Sequence, residues 1–203
     1  MPGPNTLIVN ELFQSIQGEG YWTGTPAFFI RLSGCDLQCS FCDTAHDTGT
    51  IMTFEELYNS VPQRFKHIVI TGGEPTIQDG LIDFVLGFDL NTRIIHIETN
   101  GTQQDVVQQL NYCHNIWITV SPKNRAGEES IPYCDEVKLV VKNEVDVSNA
   151  LSLHERYGKH GILFYLQPVS QEVAATRLCV ASCMAHPEKF NLSLQTHKFI
   201  GIV

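Results

Sequence analysis

The sequence lacks any apolar run near the ~18 residues that a membrane-crossing helix needs, so no such helix and no membrane partner are expected. Met1-Pro2-Gly3-Pro4-Asn5 has neither a basic stretch nor an apolar one. A secretory leader is therefore not expected, and the reading is cytoplasmic. Positive charge is scarce: 13 Lys+Arg stand against 22 Asp+Glu, a net charge of -9. A general nucleic-acid binder usually carries the opposite sign, so nucleic acid is not the expected partner. No repeat, low-complexity tract or Ser/Gly/Pro linker interrupts the 203 residues, and 1–203 reads as a single domain. No G-x-G-x-x-G follows the first apolar strand, which weakens a dinucleotide-binding reading.

What is present is an ordinary globular balance, 43% hydrophobic and 17% charged residues. Apolar strand-like runs alternate with helix-like segments, the pattern of an α/β fold with a mostly parallel sheet. Strands are expected at Ala27–Leu32, His67–Thr71, Arg93–Glu98, Ile116–Val120, Glu136–Val141 and Gly161–Leu166. Their continuous apolar character suits strands covered on both faces. Helices are expected at Phe54–Ser60, Ile77–Leu86, Gln103–Leu110, Val147–Tyr157 and Gln171–Ala185, the last being the longest. Six strands are too few for a closed eight-stranded barrel, typically ~250 residues. A partial, open parallel β/α barrel fits the length, with a doubly wound open sheet as the alternative. Polar and glycine-rich residues follow five of the strands: Ser33-Gly34-Cys35, Thr71-Gly72-Gly73-Glu74-Pro75, Glu98-Thr99-Asn100-Gly101, Ser121-Pro122-Lys123 and Gln167-Pro168. In parallel α/β folds those strand ends share one edge, where active sites are built.

Seven cysteines is an odd number, and a reducing compartment disfavours structural disulfides. Three are clustered as Cys35-x3-Cys39-x2-Cys42. Structural zinc normally takes four N/S ligands, so a fourth, such as His46, would have to come from outside the loop. A [4Fe–4S] cluster takes one cysteine per iron, and three would leave one iron open to a ligand. A zinc loop or buried free thiols are the bland alternatives. Cys113, Cys134, Cys179 and Cys183 are scattered and read as core packing, although Cys179 and Cys183 share one helical face.

Cys35-x3-Cys39-x-Phe41-Cys42, with an aromatic before the third cysteine, resembles the signature of the radical S-adenosylmethionine superfamily. Gly72-Gly73-Glu74-Pro75 after the next strand looks like that superfamily's GGEP run. Asn10–Gly20, Phe29-Ile30-Arg31-Leu32, Cys42-Asp43-Thr44 and Leu194–Phe199 narrow the resemblance to the 7-carboxy-7-deazaguanine synthase family. It runs from about Asn10 to Phe199. It implies a partial-barrel fold, a homodimer, a flavodoxin-like or ferredoxin-like electron donor, and three cofactors: a [4Fe–4S] cluster, S-adenosylmethionine and Mg2+. The implied reaction is a ring contraction of 6-carboxy-5,6,7,8-tetrahydropterin with loss of ammonia. An adenosyl radical abstracts the hydrogen, so no catalytic side chain is expected.

The resemblance implies residue roles. Cys35, Cys39 and Cys42 would hold the cluster and Thr44 the Mg2+. Phe41, Cys42, Asp43, Gly73, Glu74, Ser121, Pro122, Lys123 and Gln167 would hold S-adenosylmethionine, with Glu74 accepting from its amino group. Ile16, Gln17, Gly18, Glu19, Arg31, Thr71 and His197 would meet the pterin. Each has a plainer reading. Residues 16–19 would be an ordinary turn, Arg31 a structural salt bridge, and His197 a structural histidine. Asp43-Thr44 would be a loop cap. The Val203 carboxylate is a further candidate for closing the pocket. Two other functions compete: a small activase of the same superfamily acting on a protein partner, and a non-enzymatic metal-binding module.

Overall fold

The structure is a computed structural model that describes residues 3–202. Its elements run β1 (Thr6–Ile16), β2 (Pro26–Leu32), β3 (Thr50–Thr53), α1 (Phe54–Ser60), β4 (His67–Gly72), α2 (Leu81–Leu86), β5 (Ile94–Thr99), α3 (Gln104–Asn111), β6 (Ile116–Val120), α4 (Arg125–Glu128), β7 (Glu136–Val141), α5 (Glu144–Tyr157), β8 (Leu163–Pro168), α6 (Val173–Ala185), β9 (Asn191–Leu192) and α7 (Thr196–Phe199). One sheet holds all nine strands in the order β3-β1-β2-β4-β5-β6-β7-β8-β9. Pairing is parallel from β2 through β9 and antiparallel for β1 with β2 and β3. The six expected strands are β2 and β4 to β8, adjacent and in chain order, as an open parallel barrel requires. Among the described residues no helix is long and apolar enough to cross a membrane.

Side chains alternate across a strand. On the helix-covered face, Phe28, Ile30 and Leu32 of β2 join Ile68, Ile70, Ile95, Ile97, Ile118, Val120, Val137, Leu139, Phe164 and Leu166 in one core. The facing positions are not an apolar core. They carry Arg31, Thr71, His96, Glu98, Thr119, Glu136, Lys138 and Gln167, above a small cluster of Ala27, Phe29 and Val69. Coverage on both faces is thus real, but the second face is a polar interior. Cys134 and Cys179 lie in the main core, and Cys113 and Cys183 pack against it.

Three strands were not expected. The alternation of β1 is broken by an irregularity between Val9 and Glu11, β3 is a mostly exposed four-residue edge, and β9 has two residues. The helix expected at Ile77–Leu86 is interrupted. Pro75–Ile77 forms a 3-10 turn, and the Gln78 side chain leaves it to bond Ile8 N–H and the Ile8 and Ser33 carbonyls, so α2 begins only at Leu81. The helix expected from Gln171 starts at Val173, because Ser170 and Gln171 have φ of 48° and 58°. The longest helix is therefore α5, with 14 residues against 13 for α6.

Candidate active site

The loop from Gln17 to Thr25, between β1 and β2, turns into the barrel and closes its lower end. Between them its residues meet β4, β5, β6 and β7. Trp22 packs on His67 of β4, His96 of β5 and Trp117 of β6, and Tyr21 stacks on Trp117 at 4.9 Å. Tyr21 N–H donates to Glu136 of β7 at 3.0 Å. Gly20, at φ 65°, passes so close that a Cβ there would lie 1.9 Å from the Glu136 carboxylate. Higher up, the Gln17 amide donates to Glu98 at 3.0 Å, and Glu19 pairs with Lys138.

Above this floor two cavities open at the C-terminal strand ends. One, of about 500 Å3, is lined by Ile16, Gln17, Gly18, Glu19, Arg31, Thr71 and His197, together with Asp43, Thr44 and Ile202. The other, of about 450 Å3, is lined by Cys35, Cys39, Phe41, Cys42, Asp43, Gly72, Gly73, Asn100, Ser121, Lys123 and Gln167. They are contiguous: Glu19, Asp43, Thr71, Glu98, Lys138, Gln195 and Lys198 line both. The seven residues expected to meet a pterin thus share one cavity. The cysteines share the next with seven of the nine residues expected around S-adenosylmethionine.

Glu74 and Pro122 are the two that stand apart. Glu74 is fully buried and lines neither cavity. Its carboxylate accepts from Thr76 N–H at 3.0 Å, Thr76 Oγ1 at 2.5 Å, Thr99 Oγ1 at 2.6 Å and Asn100 N–H at 2.6 Å. Burial raises its pKa, and these donors oppose the rise. A carboxylate already holding four donors has little left for a ligand, so Glu74 is a tie between the ends of β4 and β5. The glycines before it have a similar part. A Cβ on Gly72 would lie 2.1 Å from the Leu32 carbonyl, and one on Gly73 2.1 Å from the Gly34 carbonyl. Only glycine lets β4 end this close to the base of the cysteine loop, where Glu74 N–H donates to Gly34 at 2.8 Å. Pro122 packs beside Gly127 instead of facing the cavity.

The cysteine loop is braced from two sides. Asp36 accepts from Asn100 Nδ2 at 2.9 Å and Thr102 Oγ1 at 2.5 Å. Asp43 pairs with Lys198 of α7, and Thr44 Oγ1 donates to Asp43 at 3.4 Å, so the local bonds of a loop cap are present. All seven cysteines are free thiols. Among the described residues no three His, Cys, Asp or Glu side chains converge on a single-ion site, and His46 Nδ1 lies 3.5 Å from the Asp47 carboxylate.

Arg31 is both exposed to the cavity and paired. Its Nε donates to Glu11 at 3.3 Å and its guanidinium lies over Phe13 at 5.2 Å. The α7 segment is clipped over the floor: Thr196 N–H and Oγ1 both donate to the Gly18 carbonyl at 2.9 Å, and the His197 ring covers Gly18 so closely that a Cβ would lie 1.9 Å from its Nδ1. Burial lowers the His197 pKa, with Glu19 opposing. Lys123, bonded to Ser121, is brought down to about 8 by burial and then by the nearby Lys138. Val203 lies outside the described residues.

A family model described as the Radical SAM superfamily matches residues 29–166. A 7-carboxy-7-deazaguanine synthase from Bacteroides thetaiotaomicron is 43% identical over 198 residues, 96% of this chain and 97% of that protein. The chain belongs to the 7-carboxy-7-deazaguanine synthase family. A relative of the same name from Escherichia coli K12 is 35% identical, with 96% and 98% covered. The crystal structure of QueE from Escherichia coli matches with a TM-score of 0.77 at 33% identity, over 95% of each chain. The chain is thus a radical SAM enzyme with the superfamily's open-barrel fold.

The residues present fit that family's cofactors. Three free thiols from one loop line a single cavity and do not converge on one ion, which suits a cluster whose cysteines each hold a different iron. The facing wall, with Asn100, Ser121, Lys123 and Gln167, is polar enough for a charged small molecule. Lys138 and Gln171 also line the site and were not singled out in the sequence, whereas Glu98 was named there only as part of a strand-end run. Lys138 had a signal, being a lone charge inside the apolar run Val137–Val141. Gln171 had none, because it looked helical.

Proposed function

We propose that this chain converts 6-carboxy-5,6,7,8-tetrahydropterin to 7-carboxy-7-deazaguanine with release of ammonia. The observation that carries the reading is the pair of contiguous cavities, one lined by the cysteine loop and one by Gln17, Glu19 and Arg31. When bound, the cluster with S-adenosylmethionine supplies one-electron chemistry that removes a hydrogen atom from the pterin carbon bearing the carboxylate.

The chain's own residues do the holding. Cys35, Cys39 and Cys42 ligate the cluster. Ser121, Lys123, Gln167 and the backbone at Gly72 and Gly73 hold S-adenosylmethionine, with Asp43 at the partition. Arg31 keeps its other nitrogens for the substrate carboxylate while Glu11 holds Nε, a geometry that suits bidentate recognition. Gln17 and Glu19 offer an amide and a carboxylate to the alternating donors and acceptors of the ring. Thr71 and His197 close its sides. Thr44 supplies an oxygen to Mg2+, a hard cation suited to oxygen ligands and to those of a carboxylate substrate. Beneath all of them, Tyr21 and Trp22 cover the lower barrel.

Two finer points complete the proposal. The apolar side chains exposed on α6, Val173, Val180 and Met184, fit a homodimer. A small cytoplasmic flavodoxin-like or ferredoxin-like protein would deliver the electron. The test is anaerobic reconstitution with S-adenosylmethionine, Mg2+, a chemical reductant and the carboxytetrahydropterin, with no protein substrate present. Mass detection of 7-carboxy-7-deazaguanine supports the proposal. Cofactor cleavage without that product returns the chain to the activase reading.

A further inference from the structure

At the partition between the cavities, five polar side chains from four segments form one chain of bonds. Gln195 Nε2, before α7, donates to Glu19 at 2.9 Å. Glu19 pairs with Lys138 of β7, which also donates to Glu98 of β5 at 2.8 Å. Glu98 accepts in turn from Gln17 Nε2 at 3.0 Å. The orientation of every member is dictated by chemistry. An ammonium only donates and an ionised carboxylate only accepts, so both amides must turn their NH2 groups inward.

Lys138 is the centre of this chain. Its side chain is 8% exposed, and it lines both cavities with its two carboxylates. Two carboxylates this close would drive one of them to take a proton if no cation stood between them. The other charged groups facing Lys138 are Glu136 on its own strand, Lys123 beyond β6 and His197 on α7. One ammonium against two carboxylates leaves a net charge of -1 at the partition. Each carboxylate oxygen has one protein donor and keeps capacity for a ligand donor.

We propose that Lys138 is a positioning residue that fixes Glu19 and Glu98 as a pair of acceptors, so that the substrate cavity selects a ring presenting N–H donors, as the 2-amino edge of a pterin does. The inference rests on the pterin reading above and adds the device by which the ring is chosen. Lys138 acts through the two carboxylates and needs no contact with the reacting atoms. A lysine placed only to neutralise buried charge would stabilise the fold without setting which ring is preferred.

The test is calorimetric binding to the protein without S-adenosylmethionine, so that turnover plays no part. The probes are the 6-carboxypterin ring and its 2-oxo counterpart, in which the amino donor is replaced by a carbonyl. The wild type should prefer the 2-amino ring by roughly 10- to 100-fold, the worth of a charge-assisted hydrogen bond. Lys138→Met keeps the length without the charge and should bring that ratio within about threefold of one, while Lys138→Arg should restore most of it. Glu98→Gln, which leaves the lysine in place, should move the ratio toward the 2-oxo ring and remains informative if Lys138→Met does not fold. Failure of the wild type to bind either ring would refute the pterin reading itself. Binding by the wild type with an unchanged ratio in Lys138→Met, or in Glu98→Gln where the methionine variant is unfolded, would overturn the role of Lys138 alone.

Discussion

The upper and lower layers of the barrel interior are built from the same strands, two residues apart. His96 and Glu136 point into the lower layer, and Glu98 and Lys138 into the upper. Below, the groups are sealed by Tyr21, Trp22 and Trp117. The ring of His96 touches that of His67, Nδ1 of one to Nε2 of the other at 2.9 Å, and burial brings the His96 pKa down to about 3. Above, Glu19, Glu98, Lys138, Asp43 and Lys198 are all paired yet still line a cavity. A step of one side-chain period therefore separates residues that close the barrel from residues that meet ligands. The loop at residues 17–25 belongs to both layers, with Gln17 and Glu19 above and Tyr21 and Trp22 below.

Substitutions in the two layers should have opposite signatures, and the largest effect belongs to the upper one. Cys39→Ala should abolish cleavage of S-adenosylmethionine and reduce the iron bound by the anaerobically reconstituted protein, with the melting temperature of the iron-free protein unchanged. Retained cleavage would remove the cysteine loop from the chemistry. Next comes Arg31→Ala. Loss of one partner of a buried charge pair costs roughly 2–5 kcal/mol in binding, so pterin affinity should fall by at least ~30-fold with normal cluster absorbance. An unchanged affinity would return Arg31 to its bond with Glu11.

The lower layer should answer to pH through stability and not through binding. Burial, and after it the charge of Glu98, raises the Glu136 pKa from 4.5 to about 7. Between those values the folded chain holds a proton that the unfolded chain has released, so this group makes stability fall as pH rises from about 4.5 to 7. Glu136→Gln keeps an acceptor for Tyr21 N–H and should flatten that part of the stability curve, by on the order of 3 kcal/mol across the window. Denaturant midpoints at pH 5 and pH 7 measure it, and an identical slope in both proteins would contradict the assignment. The smallest effect is expected at the rim. Thr44→Val keeps the shape without the hydroxyl, and Mg2+ stimulation of turnover should drop severalfold with cluster content retained. Full stimulation would leave Asp43-Thr44 as a loop cap.

How much of this was legible in the sequence follows the same division. The parallel strands were readable because their helix-covered positions are uninterrupted Ile, Val, Leu and Phe, as in Ile68–Ile70 and Ile95–Ile97. The cavity walls were readable because polar residues follow those strands in phase. The floor was not. Tyr21, Trp22, His67 and Trp117 come from three segments whose meeting depends on a loop turning inward, and no local spacing encodes that. The bonding of the Glu74 side chain was illegible for a related reason. A carboxylate after a glycine pair looks like a ligand group, but two of its four donors, Thr99 Oγ1 and Asn100 N–H, come from about 25 residues away. Lys138 was legible in principle, since a single lysine in the apolar run of β7 carries the same signal as Arg31 in β2.

The central claim is that two adjoining cavities hold two different ligands at once. Equilibrium binding under anaerobic conditions tests it most directly, with the cluster-loaded protein titrated with the carboxytetrahydropterin in the absence and presence of saturating S-adenosylmethionine. The account predicts one pterin per chain in both titrations, with affinity undiminished by the cofactor. Competition between the two, with pterin affinity falling in proportion to added S-adenosylmethionine, would mean that they share one cavity and would contradict the assignment of the site.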